Sequence, residues 1–171
     1  MATITLITGG ARSGKSTQAL KLAVPHKRKF FVATGQALDD EMTARIEFHR
    51  ETRPSEFQTV EEPVNVVVAL ERLADRADIV VLDCLTLWVS NLMQLHDDDE
   101  SILTEVDRLA KILKLSPFVS VVVTDEVGMG IVPEHPMARR YRDLLGWTNQ
   151  KIASVADDVV LMVAGYPIKA K

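Results

Sequence analysis

The residues best equipped for chemistry stand near the amino end: Gly9-Gly10-Ala11-Arg12-Ser13-Gly14-Lys15-Ser16. Their spacing, Gly-x-x-x-x-Gly-Lys-Ser, is that of a phosphate-binding loop. Gly9 and Gly14 permit backbone angles that a β-carbon forbids, so successive amide N–H groups can curl inward around an anion. Lys15 can reach the β- and γ-phosphates, and the Ser16 hydroxyl can sit on Mg²⁺. Arg12 adds a cation at the loop tip. A helix following the loop at once would turn its positive end toward the same anion. The pattern predicts a nucleoside triphosphate site. The bland alternative is a glycine-rich turn with a chance Lys-Ser after it.

The loop needs a strand before it and a helix behind it, and the flanking residues supply both. Residues 3–8 form a short β-branched run, and 18–23 hold good helix formers with no breaker before Pro25. Strand-like runs recur at 29–33, 79–83, 119–124 and 159–163, with 57–60 as a short edge strand and 165–171 as a tail or edge segment. Helical patterns fill the gaps: 39–53, a stretch opening at Pro63 with the stripe Val66, Leu70, Leu73 and Ala77, then 85–95, a helix bearing Ile102, Val106, Leu109 and Leu113, and 137–156. Strands spaced by helices predict a single α/β domain over residues 1–171 with a mostly parallel, doubly wound sheet. In such a sheet ligands sit at the carboxyl ends of the strands. That rule gathers Gly9 to Ser16, Thr34 to Gln36, Asp83 and Asp125-Glu126 at one edge.

The composition excludes several classes. With 47% apolar and 26% charged residues the chain is of the ordinary soluble globular kind. Its 20 basic against 24 acidic residues give a net charge of −4 and no general attraction to nucleic acid or anionic membrane. No apolar run approaches the roughly 20 residues of a membrane span. The first strand begins almost at Met1, which leaves no room for a signal peptide. One cysteine, Cys84, excludes an internal disulfide and suits a reducing cytoplasm. It reads as a small buried residue rather than a nucleophile.

Other candidate residues also have plain structural readings. Asp83 closes an apolar strand where an acid that helps to hold Mg²⁺ belongs, although strand-end acids also cap turns. His26, His96 and His135 lie in polar or proline-flanked turns and read as solvated. His49 shares a helical stripe with Arg45 and Arg53 at four-residue spacing, beside Arg50. That arrangement suits an anionic ligand, and a neutral imidazole can attack phosphorus. From spacing alone, a solvated basic face with a packed histidine is the simpler reading. Asp125 and Glu126 follow a strand, and a site role and a structural loop are evenly balanced. Arg139, Arg140 and Arg142 read as a solvated helix face, and Trp88 and Trp147 as packing residues.

Four stretches, taken together, resemble a known family. They are Thr8 through Ser16; Ala33-Thr34-x-Gln36-x-Leu38-Asp39-Asp40-Glu41-Met42; Arg45-Ile46-x-x-His49 with Arg53-Pro54; and Glu126-Val127-Gly128-Met129-Gly130-Ile131-Val132-Pro133-Glu134. Many families share the first. The other three together are similar to the bifunctional adenosylcobinamide kinase/adenosylcobinamide-phosphate guanylyltransferases of adenosylcobalamin biosynthesis, and the likeness spans nearly the whole chain. It implies a P-loop NTPase fold of RecA-like type and two reactions. A nucleoside triphosphate (ATP or GTP) with Mg²⁺ phosphorylates adenosylcobinamide, and GTP then gives GMP to adenosylcobinamide phosphate. It also implies that His49 is the guanylylated residue, working with Lys15, and that Ser16 and Asp83 face the metal. The implied nucleotide contacts are Gly9, Gly10, Ala11, Arg12, Ser13, Gly14, Lys15, Ser16, Thr34, Gly35, Gln36, Arg50, Glu51, Thr52, Arg53, Glu61 and Asp83. A cytoplasmic homotrimer is implied as well, with no nucleic-acid partner.

Three positions depart from that family's pattern. Phe48 stands where some relatives carry a second histidine. Asp83 and Asp125 stand where Glu and Asn are associated with the family; the first shortens a reach and the second keeps shape but adds charge. Two other classes stay open on the sequence: a P-loop kinase of another small alcohol, with His49 structural, and a nucleotide-gated binding protein with no acceptor.

Overall fold

The computed structural model describes residues 2–51 and 53–171, and of Arg45 it describes the backbone without the side chain. Strands β1 (Ile4–Gly9), β2 (Lys29–Ala33), β3 (Phe57–Glu61), β4 (Ile79–Asp83), β5 (Val119–Val123), β6 (Asp158–Val163) and β7 (Tyr166–Lys169) form one sheet in the order β3-β2-β4-β5-β1-β6-β7. All neighbours are parallel except β6 and β7, which pair antiparallel at the edge. Between them lie α1 (Lys15–Ala23), α2 (Asp40–Glu51), α3 (Val66–Glu71), α4 (Leu85–Leu95), α5 (Asp99–Leu115) and α6 (Pro136–Val155).

Strands β1, β2, β4 and β5 are buried on both sides, and the two-residue period of a strand decides which side chain faces which helix. Leu6, Phe30, Val80 and Val122 point to one face, where Leu70, Trp88, Leu109 and Leu144 of α3 to α6 cover them. Their chain neighbours Ile7, Phe31, Val81, Val121 and Val123 point to the other face, against Ala19 and Ala23 of α1. Among the described residues, α2 adds none to either core. It stands out over the carboxyl ends of the strands, and its polar composition follows from that position.

The predicted elements are present with shifted ends. The helix expected to run from Pro63 through Ala77 stops at Glu71; Leu73 and Ala77 are still buried, but on tight turns, with Leu73 N–H donating to the Leu70 carbonyl. The stretch 165–171, expected as a tail or an edge segment, holds the edge strand β7, paired with β6. Trp88 is buried as expected, its indole N–H donating to the Val64 carbonyl at 2.9 Å, whereas Trp147 is 46% exposed and so is no core residue of this chain. His135 caps α6, its Nδ1 accepting from Met137 N–H, and α5 is capped by Asp98 accepting from Ser101 N–H. The arginines read as a solvated face are half-buried: Arg139 donates to the Pro133 carbonyl and Arg140 to Asp99.

Register places the site. Ala33, Asp83, Val123 and Ile7 are consecutive partners across β2, β4, β5 and β1, so these strands end at one level. The chain leaves β1 toward β2 on one side and enters β6 on the other, so the sheet's topological switch lies beside β1.

Candidate active site

Above that switch lies a cavity of about 600 Å³, inside the roughly 300–1,000 Å³ range of small-molecule sites. Its floor and one wall are the loop between β1 and α1. Gly9 and Gly14 both take positive φ, 148° and 97°. At Gly9 a close approach adds to the requirement: a β-carbon would lie 2.6 Å from the Met162 carbonyl oxygen and 2.8 Å from Ser13 Oγ. The loop is held from outside by the β6–β7 turn, where Gly165 N–H donates to the Ser13 carbonyl at 2.9 Å. The edge hairpin therefore braces the phosphate loop, a role that no sequence signal indicated.

Lys15 is 9% exposed, and its ammonium donates to the Gly10 carbonyl and pairs with Asp125 Oδ1, each at 2.6 Å. Ser16 Oγ donates to Asp83 Oδ2 at 2.8 Å. Burial pushes the Asp83 carboxyl above its ordinary pKa; the Ser16 hydrogen bond, His49 and Lys15 pull the other way, and Asp125 adds to the rise. Hydroxyl and carboxylate side by side are hard oxygen donors, the kind Mg²⁺ takes together with phosphate oxygens.

The opposite wall comes from α2 and the β2 and β3 ends: Gly35, Met42, Ile46, His49, Arg50, Arg53 and Glu61 all line the cavity. His49 thus shares a cavity with Lys15 and Ser16, although 33 positions separate it from Ser16 (49 − 16). It also borders a second cavity of about 510 Å³, with Lys21, Phe48, Pro54 and Phe57. The predicted Arg45–His49–Arg53 stripe is not continuous, because α2 ends at Glu51. Arg53 instead lies 3.6 Å over the Phe31 ring and donates to Thr59 Oγ1 at 2.6 Å. Burial lowers its pKa, opposed by the pull of Asp83. Arg50 pairs with Glu61 across the mouth.

Residues 5–170 match the family described as cobinamide kinase / cobinamide phosphate guanyltransferase, CobU. The chain belongs to this family. It is 39% identical over 178 residues to the bifunctional adenosylcobalamin biosynthesis protein CobU of Escherichia coli (strain K12), spanning 97% of this chain and 98% of that protein. To the Pseudomonas aeruginosa protein CobP of the same description it is 41% identical over 167 residues, 97% and 96% of the two chains. In fold it is similar to a RadB recombinase (16% identity, TM-score 0.54, 93% of this chain and 73% of that one) and to a type III secretion ATPase (11% identity, TM-score 0.61, 93% and 50%). The RecA-like P-loop architecture expected from the resemblance is therefore the fold observed.

Not every residue implied by the resemblance lines the cavity. Ala11, Arg12, Ser13, Gly14, Lys15, Ser16, Gly35, His49, Arg50, Arg53, Glu61 and Asp83 do; Gly9, Gly10, Gln36 and Glu51 do not, and Thr52 lies outside the described residues. Thr34 is fully buried: its hydroxyl donates to the Cys84 carbonyl at 2.7 Å and accepts from Cys84 N–H at 2.9 Å. What Thr34 offers is a fixed position for the Asp83–Cys84 corner. Asp125, evenly balanced on sequence, is a site residue. Its backbone N–H donates to Thr86 Oγ1, its carbonyl accepts from Asn149 Nδ2, and Thr124 Oγ1 donates to Asn149 Oδ1. Thr86, two positions after Cys84, and Asn149, far along α6, were invisible as site residues because neither carries a motif. Cys84 borders the cavity, but burial pushes its thiol up to about 12.

Proposed function

We propose that this protein phosphorylates the hydroxyl of adenosylcobinamide with a nucleoside triphosphate and then transfers GMP from GTP to adenosylcobinamide phosphate through a guanylyl group on His49. The observation that carries this reading is the placement of His49 on α2 in the same cavity as the phosphate loop, Lys15 and Ser16. The family match and the two curated relatives, described as bifunctional adenosylcobalamin biosynthesis proteins, supply the substrate class.

In the guanylyl step the lone pair of a neutral His49 nitrogen forms a P–N bond to the α-phosphorus of GTP. The α–β bridging P–O bond breaks, and its electron pair leaves on pyrophosphate. Loop amides and Lys15 hold the charge that collects on the β- and γ-phosphates. Ser16 and Asp83 are the residues that would hold Mg²⁺, which when bound offsets phosphate charge. A phosphate oxygen of the acceptor next attacks the same phosphorus, the P–N bond breaks and its pair returns to the ring. In the kinase step the acceptor hydroxyl oxygen attacks the γ-phosphorus in the same loop, losing its proton as the nucleoside diphosphate departs. Assembly as a homotrimer fits an exposed apolar segment that includes Met129, Ile131 and Val132, 81%, 97% and 59% exposed. A cytoplasmic site of action fits the unpaired, buried Cys84.

The deciding experiment compares His49→Ala with the unchanged protein. The variant is expected to take up no acid-labile label from GTP labelled at the α-phosphorus, while phosphorylating adenosylcobinamide at a near-normal rate. Label at normal yield, or equal loss of both activities, contradicts the assignment.

A further inference from the structure

We infer that the phosphate loop is also the binding site for the acceptor: the phosphomonoester of adenosylcobinamide phosphate occupies the place on Lys15, Ser16 and the loop amides that pyrophosphate has vacated. The inference rests on the guanylyl-His49 reading and extends it to the second half-reaction.

The argument is stereochemical. Displacement at a phosphoryl phosphorus is in line, with attacking and leaving atoms roughly opposite each other. In the first half-reaction these two positions belong to the His49 nitrogen and the α–β bridging oxygen of GTP. In the second, the His49 nitrogen is the leaving atom. The attacking oxygen must approach from the side opposite His49, where the bridging oxygen stood. The phosphate carrying it then lies where the β-phosphate lay.

The structure supplies the cradle at that place. His49, from α2, lines the same cavity as Arg12, Lys15 and Ser16 of the loop and the start of α1. Lys15 is held in position by the Gly10 carbonyl and Asp125. The second cavity also borders His49 and includes Lys21 and Arg53, but it contains none of the loop residues from Gly9 to Lys15. Ser16 and Asp83 border both cavities, but an acceptor phosphate bound in the second would meet neither Lys15 nor the loop amides that stabilise the first transition state. One anion cradle thus serves both half-reactions in turn, and pyrophosphate must leave before the acceptor binds. Bonds balance: one P–O bond forms to the acceptor, the P–N bond breaks, and the ring recovers its electron pair.

The test uses the whole protein, guanylylated with GTP and Mg²⁺, desalted, and checked by intact mass for one GMP per chain. It is mixed with adenosylcobinamide phosphate in the presence of methylenediphosphonate, a pyrophosphate analogue, and the initial rate of adenosylcobinamide-GDP formation is read. The analogue is expected to slow transfer, and tenfold more acceptor is expected to restore the full rate. In steady state, pyrophosphate should then compete with the acceptor and not with GTP. No slowing, or slowing that excess acceptor leaves in place, overturns the shared cradle while the guanylyl-His49 reading stands. Absence of the GMP adduct sinks both.

Discussion

The Lys15 ammonium lies 2.6 Å from the Asp125 carboxylate, so an anion from the end of β5 engages the phosphate-loop lysine. A nucleotide has to draw Lys15 from that partner and tolerate the carboxylate's charge beside its own phosphates. The pair is mostly sheltered from water, so its effect is not screened as a surface pair would be.

Asp125→Asn keeps the shape and removes the charge. Losing a competing charged hydrogen bond of about 1–2 kcal/mol should tighten triphosphate binding roughly 5–30-fold. Isothermal titration with a non-hydrolysable GTP analogue checks this. Weaker binding by the variant would mean that Asp125 positions Lys15 for the phosphates instead of competing with them.

Asp83 gives a pH signature. Burial raises its pKa, so the folded state holds that proton more tightly than the unfolded chain does. Its contribution to stability is complete below the ordinary carboxylate pKa and falls as pH rises from about 4 through the raised folded value. Once ionised, the desolvated carboxylate opposes folding. Asp83→Asn should therefore raise the Tm increasingly as pH rises, with the gain vanishing in acid, while Mg²⁺-dependent turnover drops about 100-fold or more. Thermal scans across pH, paired with assays of both reactions, read out the two effects. A Tm that falls at neutral pH would sink the claim.

Cys84 should be chemically silent in the native state despite bordering the cavity. With its thiol pushed up to about 12, the thiolate fraction near pH 8 is about one in ten thousand. Alkylation by iodoacetamide should proceed at a normal rate only after denaturation. Rapid native labelling would contradict the burial.

Asn91 braces the site from below. It is buried, and Nδ2 donates to both the Thr34 and Pro63 carbonyls at 2.8 Å, tying α4 to the segments that follow β2 and β3. Asn91→Leu leaves both carbonyls without this donor and should destabilise by about 2–4 kcal/mol. Urea denaturation measures it; a change below about 0.5 kcal/mol would show that the brace is dispensable.

Much of this was legible in the chain. The Gly9-to-Ser16 spacing dictates a loop of inward amides whatever surrounds it, because glycine angles and a helix start are local properties. Alternating apolar runs and helical stripes dictated a parallel sheet covered on both faces. The resemblance carried by Ala33 to Met42, Arg45 to His49 and Glu126 to Glu134 supplied the reaction class, which spacing alone would have assigned to a solvated helix face. Local pattern misled where the surroundings decide: the stripe ending at Ala77 described burial correctly but not a helix, and Trp147 looked like core.

Tertiary structure decided which of these residues meet. That Ser16 touches Asp83, that Asp125 holds Lys15, that Thr34 is turned to the Cys84 backbone, and that the β6–β7 turn steadies Ser13 all follow from strand order and register. Those contacts join residues 50 to 152 positions apart, set by which strands lie side by side. A one-residue slip of β4 against β5 would turn Asp83 to the opposite face, and no local pattern in the chain records that alignment.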